Sequence, residues 1–283
     1  MTLPGPVTLA GGLGFPEDPR WHDGRLWFSD MALGAVFTVD LDGHTEKVVE
    51  VPGRPSGLGW RPDGTMLVVS MEDRCLLAWR DGALAEVADL SSHATWHVND
   101  MVVDAQGRAY VGNFGFDFLH GEEIRPAKLV RVDPDGAMLP VADDLLFPNG
   151  TVISPDGGLL VVAETYGRRL TAFDVADDGS LSNRRVFAQL EGIFPDGICL
   201  DAEGAIWVSS ARTGEAVRVD PGGAVTDRVP TGRRGAYACM LGGEDRRTLF
   251  ICCAGGSDPV RNEKERTGEI KQVRVDVPGA GLP

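Results

Sequence analysis

The sequence predicts an all-β fold, specifically a six-bladed β-propeller, and three observations support this. A strand-rich pattern recurs six times along the 283 residues, and Asp-Gly or similar pairs mark tight turns between short apolar runs. The 37 glycines and 18 prolines are spread so evenly that long helices are excluded almost everywhere. Six units of about four short strands suit blades around a common axis, whereas a pair of β-sandwiches would not require equivalent units. We therefore expect a single propeller domain over residues 1–283.

The repeated unit begins, in most copies, with Phe-Pro and a polar residue, and continues through an apolar run, a turn and an alternating strand. Each copy is followed by a second strand pair, for example GAVFTVDLDG after the first copy and GEIKQVRVDVPG after the sixth. Apolar residues that alternate or run in fours predict half-buried and fully buried strands. In chain order the copies are FPEDPRWHDGRLWFSD at 15–30, RPSGLGWRPDGTMLVVS at 54–70, HVNDMVVDAQGRAYVGN at 97–113, FPNGTVISPDGGLLVVAE at 147–164, FPDGICLDAEGAIWVSS at 194–210 and the degenerate AYACMLGGEDRRTLFICC at 236–253.

The longest interval between copies follows the third one, where the stretch 112–128 contains NFGFDFLHGEEIRPAK. This stretch is too long for a minimal hairpin and is rich in aromatic residues. Long connections on a rigid β scaffold often hold the substrate, so we expect this one to lie at the functional site. An ordinary surface loop is the alternative interpretation.

The composition narrows the range of partners. The chain has 42 acidic and 27 basic residues and a formal net charge of −15. This charge repels nucleic-acid phosphates and favours cations or neutral substrates as ligands. No apolar run approaches the roughly 20 residues that span a bilayer, and the first residues lack signal-peptide features, so we expect a soluble, cytoplasmic protein without membrane contact. The five cysteines form no C-x-x-C pair and are expected as buried thiols in strands. No pattern indicates an oligomeric state.

One position of the repeat converges on the propeller axis and carries polar residues in five of the six copies. Hard divalent cations take carboxylate and amide oxygens as ligands, and two carboxylates leave a divalent ion nearly neutral with a position open for water or substrate. The sequence therefore predicts an axial metal site. The alternative is that Asn and Asp only shape turns before strands. The residues at this position are Glu17, Ser56, Asn99, Asn149, Asp196 and Ala238.

Several segments together resemble the SMP-30/gluconolactonase family (regucalcin-like), whose relatives include diisopropyl-fluorophosphatase-like phosphotriesterases. The resemblance spans essentially the whole chain and implies a six-bladed propeller with one divalent metal ion bound through Glu17, Asn149 and Asp196. It also implies that Asn99 lies beside the metal as a substrate contact or an extra ligand. Asp196 is implied to be the catalytic proton acceptor and donor. The segments are FPEDPRW, NDMVVDAQGRAYVGN, FPNGTVISPDG, LSNRRVF and FPDGICLDAEGAIWVSS.

The chain departs from the sugar-lactonase pattern of that family at the substrate side. His97 stands where those members have an Arg, and an imidazole lacks the fork of donors that binds hydroxyls or a carboxylate. Asp117 matches the position of a substrate-contacting acid, and Phe114, Phe116 and Phe118 add apolar area beside it. We therefore expect His97, Asn99, Asp117, Phe114 and Phe116 to contact a lactone or ester less polar than gluconolactone. His97 is expected to donate a hydrogen bond, with a general-base role as the alternative.

Three functions remain open from the sequence. The first is a hydrolase that opens a lactone or related ester, with one divalent ion (Ca, Zn, Mn or Mg) polarising the carbonyl and water attacking it. The second is a phosphotriesterase-like hydrolase on the same site. The third is a non-catalytic propeller that binds calcium or a protein, since a fold does not determine a function.

Overall fold

The computed structural model of the protein describes residues 5–281, which form 24 β-strands and one short α-helix. The strands are short and the helix spans seven residues. In chain order the elements are β1 (Val7–Leu13), β2 (Pro16–His22), β3 (Arg25–Asp30), β4 (Ala35–Val39), β5 (Thr45–Glu50), β6 (Pro55–Trp60), β7 (Met66–Ser70), β8 (Cys75–Arg80), β9 (Ala83–Asp89), β10 (Val98–Val103), β11 (Ala109–Asn113), β12 (Ala127–Val132), β13 (Met138–Leu145), β14 (Pro148–Ile153), β15 (Leu159–Glu164), β16 (Arg169–Val175), β17 (Leu181–Gln189), β18 (Ile198–Leu200), β19 (Ile206–Ser210), β20 (Glu215–Val219), β21 (Val225–Pro230), β22 (Gly235–Gly242), β23 (Thr248–Ala254), α1 (Pro259–Glu265) and β24 (Gly268–Arg274).

The strands form six four-stranded antiparallel sheets, which are the blades of a propeller and confirm the predicted fold class. Blades 1 to 5 follow chain order, from β2-β3-β4-β5 in blade 1 to β18-β19-β20-β21 in blade 5. The first strand of each repeat is the innermost strand of its blade, and each innermost strand lies beside the next around the axis. The residues at the start of these strands therefore meet at one end of the axis, as the repeat pattern predicts.

Blade 6 differs from the sequence prediction. The segment GEIKQVRVDVPG was expected to form a strand pair, but it forms only β24, and the fourth strand of the blade is β1 from the start of the chain. The two strands pair antiparallel, with Val7 opposite Gln272 and Leu13 opposite Gly268. This ladder places β1 and β24 in the same blade and pairs the outer edge of β24, while the innermost strands of blades 6 and 1, β22 and β2, are in contact.

The helix α1 lies in the connection between β23 and β24 and was not predicted. Asp258 caps its first turn by accepting a hydrogen bond from the Arg261 N–H at 3.0 Å, and Pro259 occupies the first turn, where its missing N–H costs nothing. The helix ends at Arg266, whose backbone is left-handed with φ 47°. A helix this short is compatible with the spread of Gly and Pro, which excludes only long helices.

Close approach between innermost strands explains why glycine follows the axial residue in blades 4 and 5. A Cβ at Gly150 would lie 2.5 Å from the Ile198 nitrogen of the next blade, and a Cβ at Gly197 would lie 2.5 Å from the Ala238 Cβ. No side chain fits at these distances. The glycines thus let neighbouring blades bring their axial residues together.

Apolar side chains between the blades form the core. Trp21 of blade 1 stacks on Phe250 of blade 6, with ring centroids 5.6 Å apart and planes 8° apart. Trp207 is fully buried against blade 6. Both tryptophans therefore pack between blades. The five cysteines are buried free thiols, as predicted: Cys75, Cys199, Cys239, Cys252 and Cys253.

Among residues 5–281, no helix is long and apolar enough to cross a membrane.

Candidate functional site

The polar residues of the axial position line the floor of a cavity of about 490 Å³. Glu17, Asn99, Asn149 and Asp196 all face it, and the first three are at most 7% exposed. Ser56, the blade 2 residue at this position, donates its Oγ hydrogen to Asn99 Oδ1 at 3.1 Å. The structure therefore brings together the four residues that the sequence assigned to metal binding and catalysis, with Ser56 holding one of them in place.

No Arg or Lys of the described residues lies at ion-pair distance from either of the two floor carboxyl groups, Glu17 and Asp196. Burial and the nearby Asp196 carboxylate raise the pKa of Glu17 well above its ordinary value. Burial raises the pKa of Asp196 to about 8, although a hydrogen bond from Asn149 opposes the shift. A divalent cation between these groups would reverse both shifts, because it favours the ionised carboxylates.

The donor atoms at the floor fit a hard divalent cation. Asn149 Nδ2 donates to Asp196 Oδ1 at 2.6 Å and lies 3.3 Å from Thr165 Oγ1, so this amide nitrogen is engaged and Oδ1 remains available. Glu17 Oε2 accepts from the Asp18 N–H at 2.9 Å, whereas Oε1 receives no hydrogen bond from residues 5–281. Each of the three residues thus offers at least one oxygen, the ligand type that Ca²⁺, Mg²⁺ and Mn²⁺ prefer and that Zn²⁺ also accepts.

The wall above the floor is largely aromatic and comes from two repeat positions. One is the residue two places before the axial residue; the other is the turn between the second and third strands of each blade. Phe147 stacks on Phe114 of the long blade 3 connection, with centroids 4.5 Å apart. Phe118 meets both rings edge-on, and Tyr166 lies 5.3 Å from Phe147. The aromatic connection therefore does form one side of the cavity.

Two residues that the sequence assigned to substrate contact do not line this cavity. Asp117 turns toward the loop itself: its carboxylate accepts from the His120 N–H at 3.1 Å and lies 2.6 Å from His120 Nδ1. Although burial opposes the shift, these contacts hold the pKa of Asp117 below its ordinary value. Phe116 packs behind the wall, 5.9 Å from Phe147 and 5.2 Å from Tyr166. Asp117 therefore shapes the loop and Phe116 supports the aromatic wall.

His97 lines the cavity and stacks on Trp96, with ring centroids 4.3 Å apart and planes 18° apart. Burial lowers the pKa of His97 below its ordinary value. The imidazole is therefore neutral at neutral pH, with one nitrogen to donate and one to accept a hydrogen bond.

A second group of possible metal ligands lies far from the axis. Asp40, Asp42 and His44 meet in the exposed turn between β4 and β5. Asp40 Oδ1 accepts from the N–H groups of Asp42 and His44 at 3.0 and 2.9 Å, so these contacts stabilise the turn. This cluster lies at the surface, and none of its three residues lines the axial cavity.

Comparison with known proteins agrees with this geometry. A family model described as SMP-30/Gluconolactonase/LRE-like region matches residues 15–255. The chain belongs to this family. A 6-deoxy-6-sulfogluconolactonase from Pseudomonas putida is 27% identical over 279 residues, covering 94% of this chain and 93% of its own. The pentonolactonase XacC of Haloferax volcanii is 27% identical over 292 residues, covering 100% of this chain and 97% of its own.

Solved structures show the same fold. A calcium-binding protein, regucalcin, from Agrobacterium tumefaciens superposes with a TM-score of 0.82 at 21% identity, covering 99% of this chain and 96% of that one. Membership of the SMP-30/gluconolactonase/LRE-like family supports lactone hydrolysis as the activity of this protein.

In this SMP-30/gluconolactonase/LRE-like propeller, sequence reasoning missed a ring of wall residues that the repeats already contained. Five of the six residues two places before the axial residue line the cavity. The Phe-Pro motif could have predicted this ring, because in every copy with that motif the Phe stands two residues before the axial residue. The five residues are Phe15, Arg54, His97, Phe147 and Phe194.

Arg54 adds a guanidinium group that the sequence analysis did not assign to the site. It occupies the same repeat position as His97, in the neighbouring blade. Its Nε lies 2.7 Å from Glu72 Oε1, and both residues line the cavity. The cavity therefore has a charged pair beside the aromatic residues of its wall.

Proposed function

We propose that the protein is a lactonase that works with one divalent cation held by Glu17, Asn149 and Asp196. The observation that supports the proposal most is the group of oxygen donors at the floor of an aromatic-walled cavity. Two carboxyl groups without a cationic partner among the described residues, Glu17 and Asp196, lie there together with the amide oxygen of Asn149. A non-catalytic scaffold has no need for charged groups with raised pKa values at the floor of an open cavity. Family membership supports lactone hydrolysis and gives the reaction class.

When bound at these oxygens, the cation would polarise the lactone carbonyl and lower the pKa of water. Asp196 lies at the cavity floor with Oδ1 engaged by Asn149, which leaves Oδ2 to accept a proton from the attacking water. The same carboxyl group then returns that proton to the ring oxygen that leaves as the lactone opens. Asp196 therefore acts as proton acceptor and then donor.

Asn99 and His97 would orient the substrate. The hydrogen bond from Ser56 engages Asn99 Oδ1, and Asn99 lines the cavity, so its amide nitrogen is the group that would donate to the substrate. His97, neutral and stacked on Trp96, offers a second hydrogen-bonding group at the wall. One polar group at the floor and one at the wall can hold a lactone in one orientation, which lowers the entropy cost of the reaction.

The aromatic wall favours a substrate whose substituent is less polar than a sugar chain. Phe114, Phe118 and Phe147 present ring faces and edges to the cavity rather than hydrogen-bonding groups. Rings of this kind bind apolar or aromatic groups by burial and edge-to-face contact. We therefore propose aryl- or alkyl-substituted γ- and δ-lactones ahead of gluconolactone.

The test is a panel of γ- and δ-lactones, aryl esters and a phosphotriester, assayed on chelator-treated protein with Ca, Zn, Mn or Mg added back singly. We expect lactone opening to need an added ion and to fall at least about 100-fold in Asp196→Asn, because that variant lacks the proton acceptor. The exposed Asp40→Asn variant is the matched control and should keep full activity. Turnover that persists after chelation, or that survives in Asp196→Asn, contradicts the mechanism.

A further inference from the structure

The rim of the cavity is charged unevenly around the axis. The turns between second and third strands place Met31 at the rim of blade 1, Met71 in blade 2 and Tyr166 in blade 4. The equivalent turn of blade 5 places Arg212 there instead, and Arg212 is exposed. In blade 2 the adjacent Glu72 also lines the cavity, but it is paired with Arg54, whereas blade 5 presents a guanidinium group without a carboxylate of residues 5–281 beside it.

Phe194 holds this guanidinium group at the cavity. The Arg212 Cζ lies 4.5 Å from the centre of the Phe194 ring, and the Arg168 Cζ lies 4.7 Å from the same centre. Arg212 and Phe194 line the cavity, whereas Arg168 does not. An aromatic face restrains a cation without neutralising it, so the Arg212 charge at the cavity remains available to an anion.

Arg212 differs from the other basic residues of the cavity in having no acidic partner. Arg54 forms an ion pair with Glu72, and His97 is neutral at neutral pH. No carboxylate within residues 5–281 lies at ion-pair distance from Arg212. A guanidinium fork left unpaired at the mouth of a substrate cavity matches a carboxylate or sulfonate by two parallel hydrogen bonds.

We propose that the substrate is a lactone with an anionic group, a carboxylate or a sulfonate, on an apolar substituent, and that Arg212 binds this anion. The inference rests on the proposed lactonase function and names its substrate class. The lactone ring lies at the floor, the apolar part contacts the Phe114–Phe147 wall, and the anion reaches blade 5 at the rim. Arg212 is a specificity-determining residue and takes no part in the chemistry.

The experiment measures equilibrium binding of non-hydrolysable lactams by calorimetry, with and without a divalent ion. Three probes share one aryl-substituted lactam and differ only in the terminal group: a carboxylate, a sulfonate and a neutral carboxamide. The variants are Arg212→Gln, Arg212→Lys and, as the matched control, Arg168→Gln, which loses the same contact with Phe194 but lies outside the cavity lining.

We expect the wild-type protein to bind at least one anionic probe about tenfold more tightly than the carboxamide, as for a charge-assisted hydrogen bond. Arg212→Gln should abolish this preference without changing carboxamide binding, Arg212→Lys should keep part of it, and Arg168→Gln should keep it. The carboxylate and sulfonate arms show which anion fits better.

The inference is overturned if the wild-type protein binds anionic and neutral probes equally or binds no probe at all. It is also overturned if the anionic preference survives in Arg212→Gln. The lactonase proposal fails separately. If the anionic preference depends on Arg212 but no lactone is opened with any added ion, the anion site stands and the catalytic proposal does not.

Discussion

Two layers of buried carboxylates lie along the propeller axis, and they differ in how their charge is balanced. At the cavity floor, neither Glu17 nor Asp196 has an Arg or Lys of residues 5–281 within ion-pair distance. We call these two residues the upper layer. In the lower layer, formed by Asp18 and Asp100, Arg20 Nη2 lies 2.8 Å from Asp18 Oδ1 and 3.5 Å from Asp100 Oδ1. Glu17 and Asp18, one from each layer, are adjacent in the chain.

The lower layer shows what this chain does with an acid whose role is structural. Arg20 is buried there and also donates to the Met101 carbonyl at 2.7 Å, and Asp18 accepts from the Leu58 N–H. The chain thus supplies one cation and backbone donors to these two carboxylates, although burial still raises the pKa of Asp18 above its ordinary value. At the floor it supplies neither a cation nor a full set of donors. The difference supports the proposal that a cation from outside the chain binds at the upper layer.

The largest effect on stability is expected in the lower layer. Arg20→Gln removes the only cation at ion-pair distance from Asp18 and Asp100 among the described residues, and leaves both carboxylates buried. We expect the free energy of unfolding to fall by about 3–5 kcal/mol, measured by urea denaturation. Arg25→Gln, which breaks an exposed pair with Glu46, is the control and should cost at most about 1 kcal/mol. If both variants lose the same free energy of unfolding, the predicted difference between buried and exposed ion pairs is wrong.

The upper layer should respond in the opposite direction. Asp196→Asn removes a carboxyl whose burial in the metal-free protein is unfavourable, and its amide oxygen can still accept from Asn149. We expect metal-free Asp196→Asn to be more stable than the metal-free wild type by at least about 1 kcal/mol at pH 7, since one pKa unit corresponds to about 1.4 kcal/mol. Loss of stability in this variant would mean that Asp196 is balanced within the chain.

The stability of the metal-free protein should depend on pH through the same group. Asp196 ionises near pH 4 when the chain is unfolded but only near pH 8 when it is folded. The folded state therefore holds the extra proton between these values, so stability falls as pH rises from about 4 to about 8. Urea denaturation across this range checks the slope, which should be smaller in Asp196→Asn. A wild-type slope of the opposite sign, or one equal to that of the variant, contradicts the shift.

The smallest effect is expected at the residue that positions Asn99. Ser56→Ala removes the hydrogen bond to Asn99 Oδ1 and should cost about 1 kcal/mol of stability. We also expect kcat for the best lactone to fall a few-fold, because the Asn99 amide can then rotate. Ser180→Ala, which removes an exposed hydrogen bond to Asp178, should leave kcat unchanged. The assignment of Asn99 as an orienting group is wrong if Ser56→Ala turns over lactone like the wild type.

The axial residues could be predicted from the sequence because they follow from the repeat. Each copy places one residue at the start of its innermost strand, so a ring of residues is defined once the six copies are aligned. Glu17, Asn99, Asn149 and Asp196 were found in this way, and the structure brings them together. The same alignment contained Arg54 and Phe194, which were missed because the position two places before the axial residue was interpreted in the third copy alone, at His97.

Other features depend on contacts that the repeat does not encode. Asp117 lies in a connection without an equivalent in the other blades, and its direction is set by hydrogen bonds to His120 within that loop. The pairing of β1 with β24 joins the two ends of the chain, which no local pattern predicts. Arg212 stands in a turn whose role at the rim appears only when the blades are assembled.

The central claim is that the upper layer holds one divalent cation, and calorimetric titration of chelator-treated protein tests it most directly. Ca, Mg, Mn and Zn are each titrated into the wild type, Glu17→Gln, Asp196→Asn and Asp40→Asn. We predict one ion per chain for at least one metal in the wild type and in Asp40→Asn, and loss of that binding in Glu17→Gln and Asp196→Asn. Binding that persists in both floor variants, or that disappears in Asp40→Asn alone, would contradict the account.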